Sequence, residues 1–225
     1  GKRMEAHTIL FDLDGTLTDP GEGITKSVAY ALASFGITVQ DRRTLYPFIG
    51  PPLVESFMGF YGFTAEQAKQ AVEKYREYFS QQGIFENTPY PGIHQALAQL
   101  KGQGKRLLLA TSKPTVFARQ ILERFDLLPY FDFVGGSDLE GKRGQKGQVI
   151  AYTMEQAGVQ RAGAWMVGDR KHDVLGAREN GLPCAGVLYG YGSREELEEA
   201  GAAALLETVP MCAQFFGGRM TGDAR

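Results

Sequence analysis

The sequence predicts an α/β protein: a mostly parallel sheet with helices on both faces, and a helical insert after the first strand. The first observation is a continuous apolar run at residues 8–11, which is typical of a buried parallel strand. The second is helical periodicity without an intervening strand between residues 19 and 85. The third is an alternation of helix and strand patterns from Pro91 onwards, which favours parallel strands joined by right-handed crossovers.

Composition is that of an ordinary globular protein and argues against several classes of function. Of 225 residues, 43% are hydrophobic and 22% charged, with a net charge of −2, which suits one large domain or a domain with an insert. The near-neutral charge argues against a nucleic acid polymer or an anionic membrane as main partner, since both select basic surfaces. No apolar run approaches the roughly 20 residues that span a bilayer. Two distant cysteines, Cys184 and Cys212, and no visible signal peptide predict a cytoplasmic protein.

Three helix patterns make up the predicted insert. In the first, apolar residues recur every three to four positions, and Gly36 ends the pattern. The third opens with the hydroxyl of Thr64 and has Gln67 three residues later, which is the form of a capping box. The three predicted helices cover residues 24–35, 54–60 and 64–82.

Turns mark the beginning and the end of this insert. Segments rich in Gly and Pro lie at residues 19–23 and 83–92, where the chain leaves and rejoins the alternating pattern. The sequence therefore predicts two domains: a helical domain at residues 19–85, inserted into a sheet core formed by residues 1–18 and 86–225.

The core segment alternates regularly between strands and helices. Apolar runs of strand length alternate with helical patterns that begin at caps or at Pro114 and end at glycines. The predicted strands cover residues 105–111, 131–135, 164–168 and 185–189, with an edge strand at 203–207. The predicted helices cover residues 92–100, 114–125, 146–157, 173–180 and 193–200.

Two carboxylates follow the first strand at the place where α/β sheets bind ligands, beyond the carboxyl ends of the strands. Asp12 and Asp14 crowd negative charge into a small volume, which a divalent cation such as Mg²⁺ relieves. A carboxylate can also attack phosphorus to form an aspartyl-phosphate, and a second one nearby can act as general acid and then base. Gly15 permits a turn with positive φ. A strand-end turn in which Asp and Gly are only turn formers is the plain alternative.

Further reactive residues stand after other predicted strands. One strand ends in Thr111-Ser112-Lys113, another is followed by Asp169 and Asp173, and Lys146 opens the helix after a third. Parallel strands place their carboxyl ends at one edge of the sheet, so these side chains can converge on one site.

The chemistry of these residues suggests a role for each. Asp12 would attack phosphorus, Asp14 would protonate the leaving oxygen and then deprotonate water, and Lys146 with Mg²⁺ would offset the charge of the transition state. The predicted catalytic residues are thus Asp12, Asp14 and Lys146. The predicted metal ligands are Asp12, Asp14, Asp169 and Asp173, and the predicted phosphate or substrate contacts are Thr111, Ser112, Lys113, Gly15 and Gly50.

These motifs resemble those of haloacid dehalogenase superfamily hydrolases, in the subgroup with a helical cap after the first strand and closest to its phosphoglycolate phosphatase-like branch. The first motif is Asp12-Leu-Asp14-Gly15-Thr16, the second ends in Thr111, and the fourth is Gly168-Asp169-x-x-x-Asp173. The resemblance covers residues 4–215. It implies a Rossmann-like core with a mobile cap, and a two-step hydrolysis through phospho-aspartate with Mg²⁺.

Two positions are less sharply defined by the resemblance. The third family motif is a lysine, often followed by proline; Lys146 is followed by Gly147, and Lys142 and Arg143 are alternatives close by. Gly50 precedes two prolines where family caps reach toward the active site, and a structural turn is the equal alternative there.

We therefore expect a magnesium-dependent phosphatase for a small phosphomonoester, such as phosphoglycolate or a nucleoside monophosphate. Asp14 favours phosphate esters, because the dehalogenases and phosphonatases of the family lack an acid at that position. A phosphosugar mutase of the β-phosphoglucomutase type shares the four motifs and is the alternative. A non-catalytic binding protein of the same fold is a remote third reading. A monomer is the default expectation, and a dimer is the alternative.

Overall fold

A computed structural model describes residues 6–217. The strands are β1 (Thr8–Phe11), β2 (Thr18–Asp19), β3 (Thr88–Pro89), β4 (Arg106–Pro114), β5 (Phe133–Ser137), β6 (Ala164–Gly168), β7 (Cys184–Val187) and β8 (Ala204–Leu206). The α-helices are α1 (Gly21–Ala33), α2 (Leu53–Tyr61), α3 (Ala65–Phe79), α4 (Ile93–Gly102), α5 (Thr115–Arg124), α6 (Lys146–Ala157), α7 (Lys171–Glu179), α8 (Arg194–Ala200) and α9 (Val209–Gly217). Short 3-10 helices cover Arg42–Phe48, Gly83–Phe85 and Leu128–Tyr130.

Six of the strands form one parallel sheet in the order β5-β4-β1-β6-β7-β8. The predicted α/β fold with a Rossmann-like parallel core is therefore confirmed. Strand β1 lies in the interior of the sheet, with Phe11 opposite Leu109 of β4 on one side and Val167 of β6 on the other. The carboxyl ends of these three strands consequently lie side by side, which positions whatever follows them.

Strand β1 is apolar throughout because both faces of the sheet are covered. Ile9 and Phe11 belong to one apolar cluster, and Leu10 between them belongs to a second cluster on the opposite face. All three side chains are fully buried. The alternation of a strand thus divides a continuous apolar run between two layers of helices.

The segment between β2 and β3 is helical, as its periodicity predicts. Helix α1 begins three residues before the predicted start, where Asp19 accepts a hydrogen bond from the N–H of Gly21 at 3.0 Å. Helix α3 ends at Phe79 rather than residue 82, since the chain turns into the 3-10 helix at Gly83–Phe85. Helices α1 and α2 both pack against α3. The division into domains at residues 19 and 85 stays a prediction.

Strands β2 and β3 were missed by the sequence analysis and join the helical segment to the core. Thr18 pairs with Pro89 and Asp19 with Thr88 in an antiparallel ladder. Each strand has only two residues, too short to show a periodic pattern. The chain therefore leaves the sheet layer and returns to it at one place.

Helix α9 is a second element that was not predicted. Its buried residues follow helical spacing, at Val209, Cys212, Ala213 and Phe216. Phe215 and Phe216 pack edge-on against Trp165 of β6, with ring centroids 5.4 and 5.6 Å apart. Across the described residues, every helix is too short or too polar to cross a membrane.

Thr64→Ala should lower the free energy of unfolding by about 1 kcal/mol, the usual cost of losing an N-cap side chain. Thr64 accepts a hydrogen bond from the N–H of Gln67 at 3.1 Å, and the Gln67 side chain accepts one from the N–H of Thr64 at 2.9 Å. Urea unfolding measures the effect. Thr64→Ser keeps the hydroxyl and should unfold like the wild type; equal losses in both variants would contradict the capping role.

Candidate active site

Asp12 extends from the end of β1 into the centre of the sheet edge. Its N–H donates to the carbonyl of Val167 at 2.9 Å, so the hydrogen bonding between β1 and β6 continues to this residue. Its side chain is buried. Gly15 follows with φ of +85°, and a side chain at Gly15 would collide with the carboxylate of Asp169. The absence of a Cβ at Gly15 thus lets the loop after β1 close against the end of β6.

Three of the four predicted metal ligands come together in one cluster. Asp12, Asp169 and Asp173 each offer a carboxylate oxygen, and these oxygens all lie within 4.8 Å of one another. Asp169 follows β6 directly, and Asp173 lies in the first turn of α7, where its Oδ2 accepts a hydrogen bond from the N–H of Arg170 at 3.1 Å. All three residues are buried.

Burial and mutual repulsion oppose the charge of this cluster. Burial, followed by the charge of Asp173, raises the pKa of Asp12 to about 7 although Lys146 acts in the opposite direction. Burial, with the charges of Asp12 and Asp173, also raises the pKa of Asp169 well above its ordinary value. A cation among the three oxygens would relieve both effects.

The donor set fits a hard divalent cation. Within residues 6–217, Oδ2 of Asp12 and Oδ1 of Asp169 are buried oxygens without a hydrogen-bond partner. Buried polar atoms normally have a hydrogen-bond partner, and an ion-binding site is one accepted reason for an exception. Carboxylate oxygens are the ligands that Mg²⁺ prefers. The chemistry of the residues present therefore suits Mg²⁺.

Lys146 holds the carboxylates from the N-terminus of α6. Its Nζ lies 2.7 Å from Oδ1 of Asp12, 2.9 Å from Oδ1 of Asp173 and 3.2 Å from the carbonyl of Ala110. Burial by itself lowers the pKa of Lys146, but the two carboxylates outweigh burial and the net shift is upward. The side chain is therefore an ammonium that bridges two of the three acids.

The two alternatives to Lys146 have other contacts. Arg143 lies over the ring of Tyr152, with its guanidinium carbon 4.0 Å from the ring centroid. Lys142 is an exposed residue whose N–H donates to Asp138. Of the three basic residues, Lys146 is thus the one whose charge contacts Asp12.

Asp14 lies outside the three-carboxylate cluster. Its Oδ2 is 3.2 Å from Nζ of Lys113, and both side chains are more than nine-tenths buried. The ammonium of Lys113 also lies 4.4 Å from the ring centroid of Phe79 on α3. Lys113 therefore connects the acid that follows β1 to the helical insert.

A cavity of about 370 Å³ opens between the insert and the sheet edge. Four predicted site residues line it: Asp14, Gly50, Ser112 and Lys113. Its remaining lining includes apolar residues (Ile24, Phe48, Val72, Tyr75, Phe79 and Phe117) and polar ones (Lys69, Arg76, Glu140, Gln145 and Gln148). Thr111 is buried beside it, and its hydroxyl accepts a hydrogen bond from the N–H of Lys113 at 3.1 Å.

The loop after β7 contributes to the site and was missed by the sequence analysis. The N–H of Tyr191 donates to Oδ2 of Asp169 at 2.8 Å. A side chain at Gly190 would strike Asp169, and one at Gly192 would strike its carbonyl. The available signal was Gly-Tyr-Gly directly after a predicted strand, since glycines there permit a close approach of the backbone.

The fold and these acidic strand ends define the class of α/β enzymes, with a candidate site at the carboxyl edge of the sheet. Residues 9–187 match the family described as haloacid dehalogenase-like hydrolase, and the chain belongs to that family. The predictions of this family and of a phosphatase within it are confirmed at that level.

Relatives in several bacteria share most of the chain. A 5'-nucleotidase of Pseudomonas aeruginosa is 49% identical over 84% of this chain and 86% of its own length. A phosphoglycolate phosphatase of Caulobacter vibrioides is 32% identical over 88% of this chain and 86% of its own. The tyrosine-protein kinase PtkA of Mycobacterium tuberculosis is 37% identical over 85% of this chain, which spans 65% of that protein. A solved structure from Clostridium acetobutylicum, described as a predicted phosphatase, is 51% identical with a TM-score of 0.92, covering 93% of this chain and 97% of that one.

Lys146→Met should reduce phosphate release from para-nitrophenyl phosphate by about a hundredfold to a thousandfold, the usual cost of removing one preorganised charge at a reacting centre. Lys142→Met removes an ammonium from the same stretch of chain and should leave the rate within about twofold. Colorimetric initial rates measure both. A fall of equal size in Lys142→Met would contradict the assignment of the bridging lysine.

Proposed function

We propose that the protein is a magnesium-dependent phosphatase for small phosphomonoesters that acts through an aspartyl-phosphate on Asp12. One observation carries the proposal: the ammonium of Lys146, three clustered carboxylates and a fourth acid come together from three separate stretches of chain, and the fourth acid, Asp14, lines a cavity. Phosphoryl transfer requires positioned charge around the phosphorus more than any other help. Family membership supports the same reaction class.

In the first step Asp12 attacks the phosphorus of the ester. The carboxylate of Asp12 is oriented by Lys146, whose Nζ lies 2.7 Å from its Oδ1, and this carboxylate forms the new bond to phosphorus. The bond from phosphorus to the ester oxygen breaks. Asp14, which lines the cavity, gives its proton to the departing alcohol.

In the second step water attacks the acyl-phosphate on Asp12. Asp14, now a carboxylate, takes the proton of that water, which releases inorganic phosphate and restores both side chains. Lys146 offsets the charge on the transferring group throughout, since it stays protonated beside two acids. The hydroxyls of Thr111 and Ser112, with Lys113, are assigned to hold the phosphate and its oxygens.

Asp12, Asp169 and Asp173 are the residues that would hold the cation. When bound, Mg²⁺ would offset the charge of the phosphoryl group and of these acids. Asp14 points its Oδ2 at Lys113 instead, so we assign Asp14 to proton transfer.

The cavity favours a nucleoside monophosphate over phosphoglycolate. Its volume of about 370 Å³ is large for a two-carbon leaving group, and it falls within the roughly 300–1,000 Å³ of small-molecule sites. Apolar and aromatic residues on its wall, among them Ile24, Val72 and Phe117, suit the apolar faces of a nucleoside. The relative named 5'-nucleotidase supports the same choice.

Asp12→Asn should reduce phosphate release by at least about a thousandfold while the protein remains folded, because an amide is not a nucleophile toward phosphorus. The measurement is inorganic phosphate release from nucleoside monophosphates and phosphoglycolate, together with a thermal melt. Asp132→Asn, an exposed carboxylate paired with Arg106, is the matched control and should retain full rates.

Full turnover in Asp12→Asn would end the proposed mechanism. Isomerisation of β-glucose 1-phosphate without phosphate release would identify a mutase instead, since the intermediate would then be attacked by a sugar hydroxyl.

Mg²⁺ should stabilise the metal-free wild type and should hardly affect Asp169→Asn. At a free concentration of a hundred times Kd, a ligand bound only by the folded state adds about 2.7 kcal/mol. Without Mg²⁺ the variant should be at least as stable as the wild type, because one of three crowded charges is gone. Thermal melts after dialysis against a chelator measure both effects. Equal stabilisation of the two proteins would contradict the assignment of Asp169.

A further inference from the structure

Arg170 joins three separate parts of the chain. Its Nε lies 2.9 Å from Oε2 of Glu196, and its Nη2 lies 3.3 Å from Oε1 of the same side chain. Its Nη1 donates to the carbonyl of Ile49 at 2.7 Å and to that of Pro47 at 3.3 Å. The guanidinium thus forms a two-pronged ion pair with α8 and two hydrogen bonds with the insert.

This arginine is buried, with 8% of its surface exposed. A buried guanidinium is stable only when its N–H groups are paired, and losing one partner leaves an uncompensated charge. Glu196 is itself fixed: its Oε2 also accepts from the N–H of Lys171 at 2.9 Å, and its own N–H donates to the Ser193 hydroxyl that caps α8. The ion pair is therefore a rigid support.

The ion pair of Arg170 with Glu196 lies next to the wall of the cavity. Gly50 follows Ile49 with φ of +121°, and a Cβ there would lie 3.1 Å from Cγ of Arg170. Residues 50–53, the cavity loop, all line the cavity. The carbonyls that Arg170 holds thus belong to the residues that lead into this loop.

We propose that Arg170 and Glu196 are positioning residues that fix the cavity loop and thereby set the affinity for the leaving group of the substrate. The ion pair of Arg170 with Glu196, together with the hydrogen bonds from Arg170 to residues 47 and 49, is called the clasp. The proposal rests on the proposed phosphatase function for its kinetic test. Loosening the clasp moves a wall of the cavity, which the leaving group contacts, and leaves Asp12 and Lys146 in place. We therefore expect a higher KM for bulky esters with an unchanged kcat. The kinetics with small substrates should stay unchanged.

Glu196→Gln is the first test variant, since it keeps the size of the side chain and removes its charge. Its KM for para-nitrophenyl phosphate should rise by about fivefold with kcat within about twofold, a typical size for coupling through packed residues. Its kinetics with acetyl phosphate, a small substrate, should stay within about twofold. Glu198→Gln removes an exposed carboxylate from the same helix and should match the wild type for both substrates.

Arg170→Lys is the second variant, because an ammonium cannot hold Glu196 and both carbonyls at once. Its KM should rise like that of Glu196→Gln, and the double variant should be no worse than either single one, as for two members of one network. Additive losses, a fall in kcat with KM unchanged, or an equal loss for acetyl phosphate would overturn the proposal.

Amide hydrogen exchange gives a readout that does not depend on activity. Exchange in a peptide covering residues 44–57 should be faster in Glu196→Gln than in the wild type and unchanged in Glu198→Gln. A wild type that hydrolyses no ester while this difference persists would end the proposed phosphatase function and leave the clasp intact. Exchange that is unchanged in Glu196→Gln would overturn the clasp itself.

Discussion

An excess of negative charge, buried away from solvent, is the main constraint on the candidate site. Three buried carboxylates cluster at the end of the interior strands of the sheet, and one ammonium, that of Lys146, bridges two of them. Charges in a low dielectric interact strongly, so the folded state holds this group only because the surrounding sheet and helices impose it. The same constraint explains why the site suits a cation, and the close packing around Asp169 explains why positions 15 and 190 are glycines.

The parts of the site that the sequence could predict are those fixed by strand topology. Asp12, Thr111 and Asp169 each follow an apolar run, and parallel strands must end at one edge. The partners of each side chain were beyond prediction. Asp14 and Lys113, or Arg170 and Glu196, lie in separate stretches of sequence, and only three-dimensional distance decides which charges meet. Strands β2 and β3 were not predicted because a strand of two residues is too short to show an alternating hydrophobic pattern.

The fold does not by itself decide which substrate a member of this family takes. The relatives bear the names of a 5'-nucleotidase, a phosphoglycolate phosphatase and a tyrosine-protein kinase, although each is similar to this chain over most of its length. In this protein α3 and the cavity loop contribute part of the cavity wall, and Phe79 of α3 lies against the ammonium of Lys113. A change of residue on that wall can alter what binds without touching the acids beneath it.

The pairing of β2 with β3 has a topological consequence. Antiparallel strands can be joined by a two-residue hairpin turn. Because Asp19 and Thr88 are paired neighbours, a short turn between them would connect the two parts of the core directly. The whole helical layer is, in this sense, an enlarged hairpin loop. The entropy of closing a loop grows only slowly with its length, which allows such a module to be lengthened, exchanged or lost without rethreading the sheet.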